Sequence, residues 1–148
     1  MSNKTISVWL KNESGKIVLQ KRNVNNKRFA NVYQATWAGK VEDIETVEGA
    51  VERECEEELG RDFANKFDFS KLKSLENSEF MIDGKKWECF NLLGEINNKE
   101  LKNAKIHSGA FENFFFADEK NFNEFVMFDD QKNILRKIIK SGFPLSRE

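Results

Sequence analysis

Val47, Val51, Cys55 and Leu59 recur every four residues, with Ala50 beside them, in a segment bounded by Thr46 and Gly60. That recurrence lays apolar side chains along one stripe of an α-helix. Threonine caps helix starts and glycine ends them, so the spacing predicts a helix over 47–59 whose stripe must be covered by another layer. The neighbouring segments read as strands. Ile6, Val8 and Leu10 alternate with Ser7, Trp9 and Lys11, the Asn12-Glu13-Ser14-Gly15 turn follows, and 17–22 returns as a second strand. Residues 34–42 read as extended, and 72–82 and 85–96 flank Asp83-Gly84, a strong hairpin signal. Phe114-Phe115-Phe116 reads as a buried strand, 118–125 as a short helix, and 130–141 as a helix with Ile134, Leu135, Ile138 and Ile139 on one side and Gly142 as its stop. Residues 23–33 read as a polar, basic loop, and 97–110 carry no clear pattern. Strands interleaved with helices imply an α/β layered domain, and the hairpins make its sheet mixed.

The 148 residues suit a single domain over 1–148 with a core large enough to need no disulfides. Twenty-four basic residues against 25 acidic ones leave a net charge of −1, which gives no field for nucleic-acid polymers or anionic membranes. No apolar run of about 18 residues is present, and Met1 to Thr5 lack the apolar region of a secretory signal. Cys55 and Cys89 each sit in an apolar-periodic segment and are read as reduced core thiols. The expected location is cytoplasmic.

The helix carries an anomaly. Glu54, Glu57 and Glu58 fall at i, i+3 and i+4, on one face. Like charges so placed cost roughly 0.2–0.5 kcal/mol per pair. Acidic residues in a last turn oppose the helix dipole by about 0.3–1 kcal/mol each, and only Arg53 offers an opposite charge within the turn. A hard divalent cation reverses the sign of that repulsion: Mg²⁺ takes carboxylate oxygens and bridges to substrate phosphates. A solvated acidic face is the ordinary alternative, and Glu48 and Glu52 are assigned to it.

The segment Gly39 to Arg61 resembles the Nudix box. Gly39, Glu45, Arg53, Glu54, Glu57, Glu58 and Gly60 fill its seven fixed positions, and Cys55 fills the first apolar position. Arg61 departs at the last position, where an aliphatic residue is usual. The resemblance implies a Nudix-type α/β/α sandwich with a mixed sheet, and a metal-dependent pyrophosphohydrolase acting on a nucleoside diphosphate linked to another group. In that family Glu57 and Glu58 would ligate Mg²⁺, with Mn²⁺ as the alternative. Glu54 would be a ligand or the base that activates water. Glu45 would pair with Arg53, and the backbone carbonyl of Gly39 or Ala38 would complete the coordination. A further acidic ligand is usual; Glu112 is the first candidate, with Glu79 and Glu95 behind it. Lys21 and Arg22 end a strand that points toward the substrate cleft in this family and are candidate substrate contacts, as is Trp37 near the box; Lys27 and Arg28 are weaker ones.

Trp9, Trp87 and Phe114 to Phe116 are expected in the core. His107 is the sole histidine, which leaves no multi-histidine metal site. The expected substrate is a nucleoside triphosphate cleaved to monophosphate and pyrophosphate, with ADP-ribose or another sugar nucleotide as the alternative. Two other classes share the fold. Leu19-Gln20-Lys21-Arg22, with Lys27 and Phe29, resembles isopentenyl diphosphate isomerase, but residues 34–39 lack that enzyme's cysteine. Non-catalytic nucleotide sensors usually lose box carboxylates, and none is lost here. The partner is a small nucleotide; the sequence is compatible with a homodimer and does not fix the oligomeric state.

Overall fold

The computed structural model describes residues 3–22, 31–105 and 111–141; the side chains of Arg22, Phe111, Glu112 and Asn113 lie outside that description. The expected roles of Lys27, Arg28, Phe29, His107 and Gly142 also lie outside the described residues.

Strands β1 (Lys4–Lys11), β2 (Ile17–Arg22), β3 (Tyr33–Gln34) and β4 (Trp37–Lys40) lead into helices α1 (Val47–Leu59) and α2 (Arg61–Lys66). There follow β5 (Lys73–Ser74), β6 (Ser78–Ile82), β7 (Lys85–Glu95), the short α3 (Asn98–Leu101), β8 (Phe111–Ala117) and α4 (Asp129–Ser141). One mixed sheet holds all eight strands: β1 runs parallel to β7, and every other pairing is antiparallel.

Strand β1 is the spine. Its whole length pairs with β7 on one edge, while the other edge is divided between β4, opposite Thr5 to Val8, and β2, opposite Leu10 and Lys11. The sheet therefore forks. The Thr36 hydroxyl fills the fork, accepting from the Leu10 N–H at 3.0 Å and donating to the Val18 carbonyl at 2.6 Å. Backbone groups left unpaired by the divergence are thus satisfied by a side chain.

Both faces of β1 are buried. Ile6, Val8 and Leu10 pack with Val51, Cys55, Leu59 and Phe63 from α1 and α2, while Trp9 packs with Ile134, Leu135 and Ile138 from α4. The alternation in the sequence thus separates two interiors. Polar side chains on the α4 face are paired: Trp9 Nε1 donates to Asn91 Oδ1 at 3.1 Å, and Ser7 Oγ to Gln131 Oε1 at 3.2 Å. Helix layers on both faces make the α/β/α sandwich.

Several expectations change. Residues 72–82 form not one strand but β5 and β6, because the chain leaves the sheet between Ser74 and Ser78. Only residues 122–124 of the expected helix over 118–125 turn helically, as a single 3₁₀ turn. The unassigned stretch after Ile96 contains α3, which is held by a capping box: Asn97 Oδ1 accepts from the Glu100 N–H, and the Glu100 carboxylate accepts from the Asn97 N–H. Phe116 is 37% exposed, so the phenylalanine run is not uniformly buried. Strand β8 pairs with β2 alone among the described residues, and an edge strand receives less cover. Trp87 is half-buried, stacked on Phe80 and beneath Lys40, rather than in either core cluster. At Asp83-Gly84 both residues have positive φ, 52° and 77°, the geometry of a tight type I′ hairpin turn. Cys55 and Cys89 are free and buried. No described helix is long and apolar enough to cross a membrane.

Candidate active site

Helix α1 begins where Thr46 Oγ1 accepts from the Gly49 N–H at 2.9 Å. Its apolar stripe lies on β4 and β1, and the Trp37 indole donates to the Val51 carbonyl at 3.0 Å. That anchoring fixes the rotation of the helix, so residues 54 and 58 face β4. Glu54 lies against Gly39: a Cβ built on Gly39 would stand 2.0 Å from the Glu54 carboxyl carbon. Glu58 is 6% exposed and accepts from the backbone of Ala38. Only glycine at 39 lets a carboxylate approach the strand so closely.

Arg53 organises the outer side. Its Nε donates to Glu45 Oε2 at 2.7 Å and its Nη2 to Glu45 Oε1 at 2.9 Å. Nη2 also donates to the Lys40 carbonyl at 2.8 Å, and Nη1 to Glu54 Oε2 and Glu57 Oε2 at 3.1 Å each. These contacts use all five N–H donors of a guanidinium. Glu45 also accepts from the Glu42 N–H at 3.1 Å. The loop before α1 is thereby tied to the middle of the helix through a bidentate pair.

The electrostatics divide the acids. The Arg53 hydrogen bond, foremost, holds the Glu45 carboxyl down at about 2. Its acidic partners, Glu45 first, raise Arg53 further above its ordinary value. Burial pushes Glu54 up against the opposing pull of Arg53, with Glu57 adding to the rise. Burial and the neighbouring Glu54 push Glu58 well above the usual carboxylate range. Two carboxyls so close and so enclosed resist being ionised together. A divalent cation would reverse that penalty, since ligating carboxylates are ionised.

The residues fit such an ion. Their donors are hard oxygens, and the glycine cradle brings two of the carboxylates against a strand backbone. Glu57, however, is turned to Arg53, and among the described residues no three acidic, histidine or cysteine side chains are gathered as a ligand cluster.

The other expected residues fall elsewhere. Trp37 is fully buried, with Phe63, Phe67 and Phe69 edge-on to its ring. It therefore presents no exposed face to a base in this structure. The Lys21 ammonium lies 5.7 Å from the Tyr33 ring centre; Tyr33 belongs to the α4-side cluster, so Lys21 faces away from α1. Arg22 and Glu112 are placed by backbone alone, in β2 and β8. Glu79 is exposed and paired with Lys86 at 3.2 Å, and Glu95 is exposed at the end of β7. Arg61 is the first residue of α2 and pairs with Glu56 at 3.2 Å, so the departure from the box pattern is met at the surface. The sequence reading missed Gln20, a fully buried amide whose Nε2 lies 3.5 Å from Glu58 Oε1. A polar residue at an interior position of the apolar strand Ile17-Val18-Leu19 was the available signal.

A layered mixed sheet bearing an Arg-Glu-clamped acidic helix over a glycine strand defines the Nudix class of hydrolases. A model of the NUDIX domain matches residues 1–137, and the chain belongs to that family. Solved structures agree on the fold. A MutT protein from Methanosarcina mazei Go1 superposes with a TM-score of 0.74 at 16% identity, covering 97% of this chain and 96% of that one. An Ap4A hydrolase of C. elegans gives 0.68 at 17% identity, covering 95% and 98%. The NUDIX domain of Shewanella oneidensis NrtR, complexed with ADP ribose, gives 0.69 at 11% identity, covering 97% and 90%. Comparison with curated protein sequences finds no significant match.

Proposed function

We propose that this chain is a divalent-cation-dependent pyrophosphohydrolase that cleaves a nucleoside triphosphate to a monophosphate and pyrophosphate. The observation carrying the reading is the pair of carboxylates, half-buried Glu54 and buried Glu58, pressed onto the Gly39 strand beside the fully bonded Arg53. Two adjacent acids held away from solvent are costly to fold around unless they serve a ligand of opposite charge.

Glu57 and Glu58 would hold Mg²⁺, or Mn²⁺ in its place, with the carbonyl of Gly39 or Ala38. Such an ion would neutralise the phosphate oxygens and the leaving group. Glu54 is the base. One of its oxygens is fixed by Arg53, and burial raises its carboxyl above the ordinary value, which makes it a stronger base than an exposed glutamate. It takes the proton of the attacking water as the new O–P bond forms and the phosphoanhydride bond breaks, with pyrophosphate leaving. Arg53 and Glu45 do not touch the reacting atoms; they keep Glu54 in place.

The test is a hydrolysis screen with Mg²⁺ or Mn²⁺ over nucleoside triphosphates, dinucleoside polyphosphates and sugar nucleotides including ADP-ribose, with products identified. Monophosphate plus pyrophosphate from a triphosphate is the expected result. Turnover of ADP-ribose alone would move the assignment to a sugar-nucleotide pyrophosphatase. No turnover, with tight nucleotide binding, would make the chain a sensor.

A further inference from the structure

Gln20 holds the one buried side-chain oxygen or nitrogen without a partner among the described residues: its Oε1 is enclosed and meets no donor. The residue is 0% exposed, directly after the apolar run Ile17-Val18-Leu19 of β2. Burying an amide with one unmet oxygen is unfavourable, so packing alone does not account for it. The other end of the amide is occupied. Nε2 donates to the Thr36 carbonyl and approaches Glu58 Oε1 at 3.5 Å. An amide nitrogen carries two protons, and these contacts use both.

The amide cannot turn over freely. Reversal would set its oxygen against the Thr36 carbonyl and the Glu58 carboxylate. The mount is also fixed: Gln20 pairs with Gln34 of β3 on one edge and Phe114 of β8 on the other. Thr36 is itself anchored at the fork by Val18 and Leu10. A rigid path thus runs from the sheet to a single oxygen on α1. Arg53 contacts Glu54 and Glu57 but not Glu58, so from the sheet side Glu58 is held by Ala38 and Gln20, with Glu54 beside it on the helix.

We propose that Gln20 is a positioning residue that aims the Glu58 carboxylate for the divalent cation, working from the sheet side while Arg53 works from the outer side. This rests on the pyrophosphohydrolase reading. A ligand oxygen oriented in advance by a fixed donor reorganises less when the ion binds, and losing such a donor costs about 10- to 100-fold in metal affinity.

Two variants test it. Gln20→Met keeps the length and removes both the donor and the orphan oxygen. Gln20→Glu keeps the shape and replaces the donor with an acceptor. Binding of Mn²⁺ to the nucleotide-free chain is read from the six-line resonance of the free ion, alongside metal-free thermal unfolding. Both variants are expected to bind Mn²⁺ at least about 10-fold more weakly. Gln20→Met should keep its unfolding temperature, and kcat should fall while KM for the nucleotide holds. An amide that is merely structural would lower the unfolding temperature of Gln20→Met and leave Mn²⁺ affinity unchanged, overturning the proposal. Should Gln20→Met fail to fold, Gln20→Glu decides: Mn²⁺ affinity at or above the wild-type value overturns it. A wild-type chain that binds no Mn²⁺ overturns the parent reading as well. Wild-type binding and hydrolysis that both variants preserve remove Gln20 alone.

Discussion

Replacing Gly39 with alanine adds one methyl group where the structure has no room for it. The new Cβ would lie 2.0 Å from Glu54 Cδ, 2.1 Å from Oε2 and 2.6 Å from Cγ, whereas ordinary contact begins at 3.4 Å. The carboxyl must therefore retreat by at least 3.4 − 2.0 = 1.4 Å. All three obstructing atoms belong to the Glu54 side chain, with the carboxyl at its flexible end, so the helix need not move. Gly39 has no positive φ, so alanine brings no backbone strain. The stability change should stay within about 1 kcal/mol. The effect on turnover should be far larger. A displacement of about 1 Å in a reacting group costs roughly 100-fold, equivalent to about 2.7 kcal/mol in the barrier. The assay is kcat on the substrate returned by the screen, with thermal unfolding measured in parallel. Gly94→Ala is the matched control: its Cβ would meet Leu72 Cδ2 at 2.6 Å and Leu10 Cδ2 at 3.1 Å, in packed core. Overpacking there should cost about 1–3 kcal/mol of stability and leave turnover per folded molecule intact. Gly39→Ala turning over within about threefold of wild type would refute the placement of Glu54 in the reaction.

Glu57→Gln should lower turnover by at least about 100-fold, the scale of losing one preorganised charge-stabilising group, with the fold retained; wild-type rates would remove Glu57 from the site. Glu45 is held at about 2 rather than 4.5, so its pairing with Arg53 stabilises the fold fully above pH 4.5 and fades as the pH falls toward 2. The gap in urea midpoint between wild type and Glu45→Gln should accordingly shrink across that window, and a gap that widens on acidification would contradict the pairing. Burial raises both thiols, so a disulfide reagent should label neither cysteine in the native state and both after unfolding; rapid native labelling would show that the cores around Cys55 and Cys89 open.

The bounds of α1 were legible because Thr46, the four-residue stripe and Gly60 are local signals, each acting within a turn of the chain. The same holds for the Asp83-Gly84 hairpin and for the three glutamates, whose shared face follows from helical periodicity alone. The 3₁₀ turn at 122–124 and the break between β5 and β6 were not legible, since both depend on where the chain meets other layers. The burial of Trp37 depends on Phe63, Phe67 and Phe69, which come from a different part of the chain.

By itself, the sequence determined which helix carries the acids, which glycine strand precedes it, and the family to which both belong. Tertiary structure alone decided that Glu54 and Glu58 close on Gly39 and Ala38 while Glu57 turns to Arg53. It also decided that Gln20 reaches Glu58 across 38 residues of chain. The physical reason is distance along the chain: capping and periodicity act between residues a few positions apart, whereas burial and hydrogen bonding across the sheet fork exist only once β1, β2 and β4 have met.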